Sequence, residues 1–254
     1  MSPQEERRLW LTKALLAERG ERPEIPADTK SQKQLLRALL NVRPPLPASA
    51  EFLRVQDAYL QEETRRKGIT NYKDLQPIQQ GIYLWQGDIT TLKCGAIVNA
   101  ANSQMLGCFH PNHDCIDNAI HTYAGVQLRL ECAEIMKNQG HKEPTGGAKI
   151  TGAYNLPCDR ILHTVGPIVN GRVTSEDEQN LKDCYISCLE AAKENGIKSV
   201  AFCCVSTGVF RFPNRLAAEI AVETVRKYKD DMEVIFNVFK YSDYKIYQEY
   251  LRGT

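Results

Sequence analysis

Within eight residues of this 254-residue chain, Cys108, His113 and Cys115 form a C-x4-H-x-C pattern. Two thiolates and an imidazole suit Zn2+, and three protein ligands leave a fourth coordination position open, as in catalytic rather than structural zinc sites. From spacing alone the plainer alternative is a pair of buried, unligated thiols. His110 is a rival ligand, but it lies two residues from Cys108 with Pro111 after it, which makes convergence harder. Asp117 and His121 follow, one helical turn apart, and share a face if a helix starts near Cys115. A histidine so placed is more often a satisfied helix residue than a catalyst.

Three other segments carry chemistry-bearing residues. Asn99-Ala100-Ala101-Asn102-Ser103 leads into the Cys-His-Cys stretch. Gly87-Asp88-Ile89-Thr90 ends an apolar run, and an aspartate there can accept from an exocyclic amine such as that of adenine, or simply cap a turn. Ser206-Thr207-Gly208-Val209-Phe210-Arg211-Phe212-Pro213 follows a buried run and precedes an amphipathic stretch near Asn214. A glycine loop feeding a helix N-terminus offers amides and a positive dipole end to an anion. It lacks the lysine of a Walker loop, which argues against nucleotide triphosphate hydrolysis. Thr145-Gly146-Gly147-Ala148-Lys149, before ITGAYNLP, is a second glycine segment, ambiguous alone.

The elements that must hold these loops are legible in texture. Short Val-, Ile- and Phe-rich runs at 82–85, 96–100, 160–165, 199–205 and 233–239 suit strands buried on both faces. Amphipathic stretches at about 116–138, 176–195 and 214–229 alternate with them. The expected architecture is a mostly parallel sheet between helices, with ligands collecting at the strands' carboxyl ends. Residues 1–75 read instead as helices separated by prolines, the third covering about Ala48 to Lys67, and as a cap on the main domain at 76–254. The net charge of +1 removes the simplest reason to expect nucleic acid or an anionic membrane as partner. No apolar run approaches the length of a membrane span. Nine cysteines, an odd number, without an export signal point to a reducing cytoplasm with most of them in the core.

NAANSQMLG…IDNAIH, GGAKITGAYNLPCDRILHTVGP and STGVFRFP together resemble the macrodomain family over about residues 77–252. The resemblance implies a three-layer α/β/α fold with a mixed, mostly parallel sheet, plus an N-terminal helical extension. It also implies ADP-ribose as ligand and, for the MacroD-type branch, removal of ADP-ribose from modified proteins. The Cys-His-Cys insertion is similar to the microbial zinc-dependent macrodomains, which are associated with a sirtuin-type ADP-ribosyltransferase and a lipoate-linked carrier protein. Carried across by position, Asp88, with Ile89 beside it, would take the adenine amine, and Phe239 or Tyr241 would stack on adenine. Gly208, Val209 and Phe210 would hold the diphosphate through their backbone amides, with Ser206, Thr207 and Arg211 beside them in the ADP-ribose site. Asn102 would bind the distal ribose, and Asp117 would orient or deprotonate the attacking water. Two departures stand out. MacroD-type enzymes have a glycine run where this chain has CFHPNHDC, so zinc would fix the loop and polarise the ribose linkage. Arg211 stands where many macrodomains have glycine, and either pairs with phosphate or narrows the cleft. The competing reading is a non-catalytic ADP-ribose reader with a structural zinc.

Overall fold

The computed structural model describes residues 2–253. Its first three helices are Pro3–Glu18 (α1), Thr29–Val42 (α2) and Ala50–Lys67 (α3). Each starts where a side-chain oxygen is available for the free amides of the first turn. Ser2 and Glu5 form a capping box around Pro3, and Asp28 and Ser49 accept from the amides of Ser31 and Phe52. α2 stops at Arg43, ahead of two prolines, and α3 stops at Gly68, whose φ is +90°. The three helices bury a core of their own that includes Leu11, Leu15, Leu36, Phe52 and Leu60. Tyr123 packs against both this core and the main one.

The rest of the chain runs β1 (Thr70–Asn71), β2 (Ile82–Gln86), β3 (Leu92–Lys93), β4 (Ala96–Ala100), α4 (Ile116–Ala124), α5 (Val126–Gln139), β5 (Ala148–Gly152) and β6 (Arg160–Thr164). α6 (Ser175–Glu194), β7 (Ser199–Phe202), α7 (Asn214–Tyr228), β8 (Glu233–Val238) and α8 (Tyr241–Arg252) complete it. Six strands form one sheet in the order β2-β8-β7-β4-β6-β5. All neighbours are parallel except β5, which runs antiparallel to β6. β1 and β3 make a separate parallel pair. α4 and α5 pack together beside β4 and β5, while α6, α7 and α8 pack in a row, giving the three-layer α/β/α arrangement. Ala96, Ile97, Val98 and Asn99 are all fully buried, as a central parallel strand covered on both faces requires. Among the described residues no helix is long and apolar enough to cross a membrane.

Three details differ from the sequence expectation. The stretch at 116–138 is two helices, broken at Gly125, where φ is +102° and a Cβ would lie 2.7 Å from both Gln127 Oε1 and Gln56 Nε2. The run at 199–205 is a strand only to Phe202, because Cys203 onward turns toward the following loop. β5 and α8 lie outside the apolar runs: β5 is a short run next to glycines, with too few apolar residues to show a period.

Candidate functional site

Because β2, β8, β7 and β4 are parallel neighbours, the segments after them share one edge of the sheet. Asp88 follows β2, Phe239 follows β8, residues 206–211 follow β7, and Asn102 follows β4. Three inter-strand steps of about 4.8 Å put Asp88 and Asn102 roughly 14 Å apart across that edge, a span suited to an elongated nucleotide.

At the β2 end, Asp88 caps a 3-10 turn spanning Ile89–Thr91. Its Oδ1 accepts from the Thr90 amide at 3.0 Å and hydroxyl at 2.6 Å, and its Oδ2 from Lys67 Nζ at 2.9 Å. Burial pushes this carboxyl up, but the Thr90 bonds and the Lys67 charge outweigh it and the net pKa is lowered. Ile89 is buried beneath the turn. Phe239 is 76% exposed and Tyr241 61%, so an aromatic face is open beside Asp88's neighbouring strand.

In the middle, the 206–211 loop presents its backbone. Its internal bonds run from Arg211 N to Gly208 O at 3.0 Å and from Phe212 N to Ser206 O at 3.0 Å. The amides of Gly208, Val209 and Phe210 donate to nothing among the described residues. Nothing lies within 4 Å of a Cβ built on Gly208, and Val209 is 66% exposed. Ser206 and Arg211 both have positive φ, at +63° and +60°, strain of the kind that collects at ligand loops. Phe212, fully buried, anchors the far end. Arg211 turns aside to Asn170 Oδ1 at 2.9 Å and stays exposed.

At the β4 end, Asp117 lies in the first turn of α4 and is buried. Asn99 Nδ2 donates to its Oδ1 at 2.8 Å and Asn102 Nδ2 to its Oδ2 at 3.3 Å. Asn102 also donates to Gly107 O at 3.1 Å. Burial is the largest influence on Asp117 and raises its carboxyl to about 6, against the Asn99 bond, the Arg129 charge and the Asn102 bond. His121 Nε2 is 3.6 Å from Asp117 Oδ1, too long for a hydrogen bond, and neither ring nitrogen has a partner. Burial, then His163 and Arg129, hold that imidazole neutral. Behind it, His163 bridges Asn99 Nδ2 at 3.1 Å and Thr151 Oγ1 at 2.8 Å.

Cys108, His113 and Cys115 come together as their spacing suggested: one donor atom from each lies within 4.8 Å of the others, and all three residues are half-buried. Cys108 Sγ and His113 Nδ1 are 3.5 Å apart. Cys115 also caps α4, its Sγ accepting from the Asn118 amide at 3.4 Å. Two thiol sulfurs and an imidazole nitrogen this close are donors of the kind that could hold Zn2+, with no fourth side chain in the group among the described residues. His110, its ring edge-on to His113 at 5.4 Å, stands outside it. His121, Cys132 and His163 form a second close group, but it is fully buried and both His163 nitrogens are already engaged.

Sequence reasoning passed over Asn99, His163, Asn118 and Arg129. Asn99 did leave a signal, as the one polar residue in the buried run AIVNA. The N-terminal residues Arg37, Asn41 and Lys67 left none, since their partners lie far along the chain.

The Macro domain family model matches residues 98–221. A protein of Treponema medium named protein-ADP-ribose hydrolase is 56% identical over 97% of this chain and 98% of its own. One of the same name from Staphylococcus aureus is 53% identical over 89% of this chain and 86% of its own. A probable bifunctional ADP-ribose hydrolase/ADP-ribosyltransferase of Fusarium oxysporum is 43% identical over 88% of this chain but only 42% of its own. Among solved structures, the Trypanosoma brucei macrodomain in complex with ADP-ribose is 30% identical, with a TM-score of 0.64 over 84% of this chain and 94% of that one. The Oceanobacillus iheyensis macrodomain with ADP is 36% identical, with a TM-score of 0.63 over 70% of this chain and 94% of that one. The strand order, the loops on one sheet edge and relatives of this identity over nearly the whole length lead to one conclusion: the chain belongs to the Macro domain family.

Proposed function

We propose that this protein is a hydrolase that binds ADP-ribose along the β2–β4 edge and releases it from a modified protein side chain, with Zn2+ held by Cys108, His113 and Cys115. The observation that carries the reading is the placement of a buried Asp117, bonded to the half-buried Asn102, next to a three-donor cluster at one end of an anion-receptive sheet edge. A module that only reads ADP-ribose has no need of either. Curated relatives that bear a hydrolase name at more than half identity support it.

Asp88 takes the adenine amine on the open side of Oδ2, with Phe239 against the ring. The free amides of Gly208, Val209 and Phe210 take the diphosphate oxygens. Asn102 is held in place by Gly107 and Asp117 and fixes the distal ribose. Asp117, itself held by two asparagine donors, orients a water and accepts its proton as the water oxygen bonds to the ribose carbon. The bond from that carbon to the protein side-chain oxygen breaks, and the electron pair leaves with the oxygen. Zinc, when bound, supplies Lewis-acid polarisation of the ribose linkage. Arg211, bonded to Asn170, serves the loop rather than closing the cleft.

The substrate is an O-linked mono-ADP-ribosylated protein made by a sirtuin-type transferase, with a lipoate-linked carrier of the glycine-cleavage kind as the target. The Fusarium relative, whose name joins both activities, supports the pairing with a transferase. Nine free cysteines, with no disulfide among them, fit a reducing cytoplasm.

The test follows release of free ADP-ribose from a mono-ADP-ribosylated carrier, before and after zinc removal, beside calorimetry of ADP-ribose binding. Zinc-dependent release is expected. Tight binding with the adduct retained on acid-linked and serine-linked substrates alike would make the protein a reader.

A further inference from the structure

The segment holding the three donors, 107–115, makes little backbone structure of its own: its one internal backbone bond is His113 N to His110 O at 3.3 Å. Side chains from elsewhere hold it. Asn118 Nδ2 donates to Cys108 O at 3.3 Å and His110 O at 3.0 Å. Arg37, on α2, donates from Nη2 to His113 O at 2.9 Å and to Asn118 Oδ1 at 3.0 Å. Asn41, one turn along the same helix, accepts the Asn112 amide at 2.9 Å and donates to Thr122 at 2.8 Å. Asn112 sits at φ +55°, in the left-handed region that asparagine adopts more readily than most residues, and Asn41 holds its amide there. Arg129 Nε takes the carbonyl of Leu106, just before the segment, at 2.8 Å.

We propose that α2 is part of the active apparatus, with Arg37 and Asn41 as positioning residues that hold the 107–115 segment in its ligand-ready form. They act through Asn118 and the main chain and touch no substrate. The inference rests on the zinc reading above for its functional consequence, though not for the brace itself. Outer partners of metal ligands typically govern metal affinity by 10- to 100-fold. Left flexible, a segment with so little backbone structure populates many conformers, and ordering it at the moment of metal binding costs free energy that the brace removes in advance.

Two measurements decide it. Zinc affinity by chelator competition compares the intact chain with Arg37→Met, Asn41→Leu, Arg37→Lys and Arg8→Leu. Arg8 pairs with Gln32 inside the helical bundle at 2.9 Å and does not reach the segment, so its variant loosens the bundle alone. The expected result is zinc binding weakened about tenfold or more by Arg37→Met and Asn41→Leu. Arg37→Lys should recover part of it, since an ammonium reaches His113 O but cannot fork onto Asn118, and ADP-ribose affinity should hold. Zinc affinity unchanged in both variants, or lost equally in Arg8→Leu, overturns the proposal. Hydrogen exchange of the Asn112 amide in zinc-stripped protein is the second measurement. Asn41→Leu should accelerate it about tenfold or more, and no change overturns the brace. If the intact chain takes up no zinc, the zinc reading fails on its own, and the exchange result still decides the brace.

Discussion

Adding one methyl group at Gly166 should weaken ADP-ribose binding by pushing on Ser206, at the start of the loop assigned to the diphosphate, without touching the Gly208, Val209 or Phe210 amides. Gly166 lies just past β6, and a Cβ there would stand 2.0 Å from Ser206 Oγ and 2.9 Å from Val205 Cγ1. Non-bonded heavy atoms settle at about 3.5 Å or more, so Ser206 must retreat by roughly 1.5 Å. Turning the hydroxyl aside still leaves Ser206 Cβ at 3.3 Å and Val205 Cγ1 at 2.9 Å, and Ser206 is buried at φ +63°, so the rest of the relief comes from moving the loop. Phe212 N, bonded to Ser206 O, carries that shift across the loop to its anchored end. Each amide given to a phosphate oxygen is worth about 1.5–3 kcal/mol net. Misplacing one of the three therefore weakens ADP-ribose binding by roughly 10- to 150-fold. Calorimetry on Gly166→Ala, Ser206→Gly and the double variant reads this directly. Ser206→Gly deletes the obstructing oxygen, and glycine accepts a positive φ without strain. The double variant should thus bind within about threefold of Ser206→Gly alone. Unchanged affinity in Gly166→Ala, or a double variant no better than Gly166→Ala, would refute the geometry assigned to this loop.

Other outcomes follow from the same site. Asp117→Ala should lower ADP-ribose release by about 10²- to 10⁴-fold, the usual worth of a positioned proton acceptor; turnover within tenfold of wild type would remove Asp117 from the chemistry. Phe239→Ala should weaken ADP-ribose by about 1–3 kcal/mol, as loss of a base-stacking ring does, and AMP by a similar factor; an effect on neither would separate the ring from adenine. His163 is held neutral by burial, which lowers its pKa from 6.5 to about 3. Its stabilising contribution is therefore complete above pH 6.5 and lost progressively as pH falls toward 3, by about 2 kcal/mol at pH 5. Urea unfolding at pH 7 and pH 5 should show that loss, and His163→Gln should remove about 2 kcal/mol of it, leaving the part contributed by His121, which burial also holds neutral.

The four loops could be found in the sequence because each follows a run of buried strand residues, and a parallel sheet sends all such loops to one edge. AIVNA before Asn102 and SVAF before Ser206 are examples. The closeness of Cys108, His113 and Cys115 was legible for a different reason: they lie within eight residues, so spacing alone limits their separation. What stayed hidden depends on packing between distant segments. Arg37 meets Asn118 across 81 positions, and Lys67 meets Asp88 across 21. No periodicity encodes such a meeting, so the N-terminal helices read as a plain cap. They do pack on the main domain, but their polar residues also reach both ends of the cleft. Gly125 was hidden too, because a break between two amphipathic helices on one face leaves the apolar pattern nearly continuous.

The strand order has a consequence for how the protein holds together. The loops assigned to the ligand hang from β2, β8, β7 and β4, four adjacent strands drawn from positions as far apart as Asp88 and Phe239. A nucleotide lying across them would be a non-covalent tie between chain segments, added to the strand ladder and to side-chain bonds such as Gln86 Nε2 to Phe239 O. Its binding energy is then cooperative with the sheet itself: β2 cannot peel from its edge position beside β8 without releasing adenine. At a hundredfold excess over Kd the tie adds about 2.7 kcal/mol to the folded state. That gain should concentrate in the β2–β8 edge, where the free protein has neighbours on one side alone.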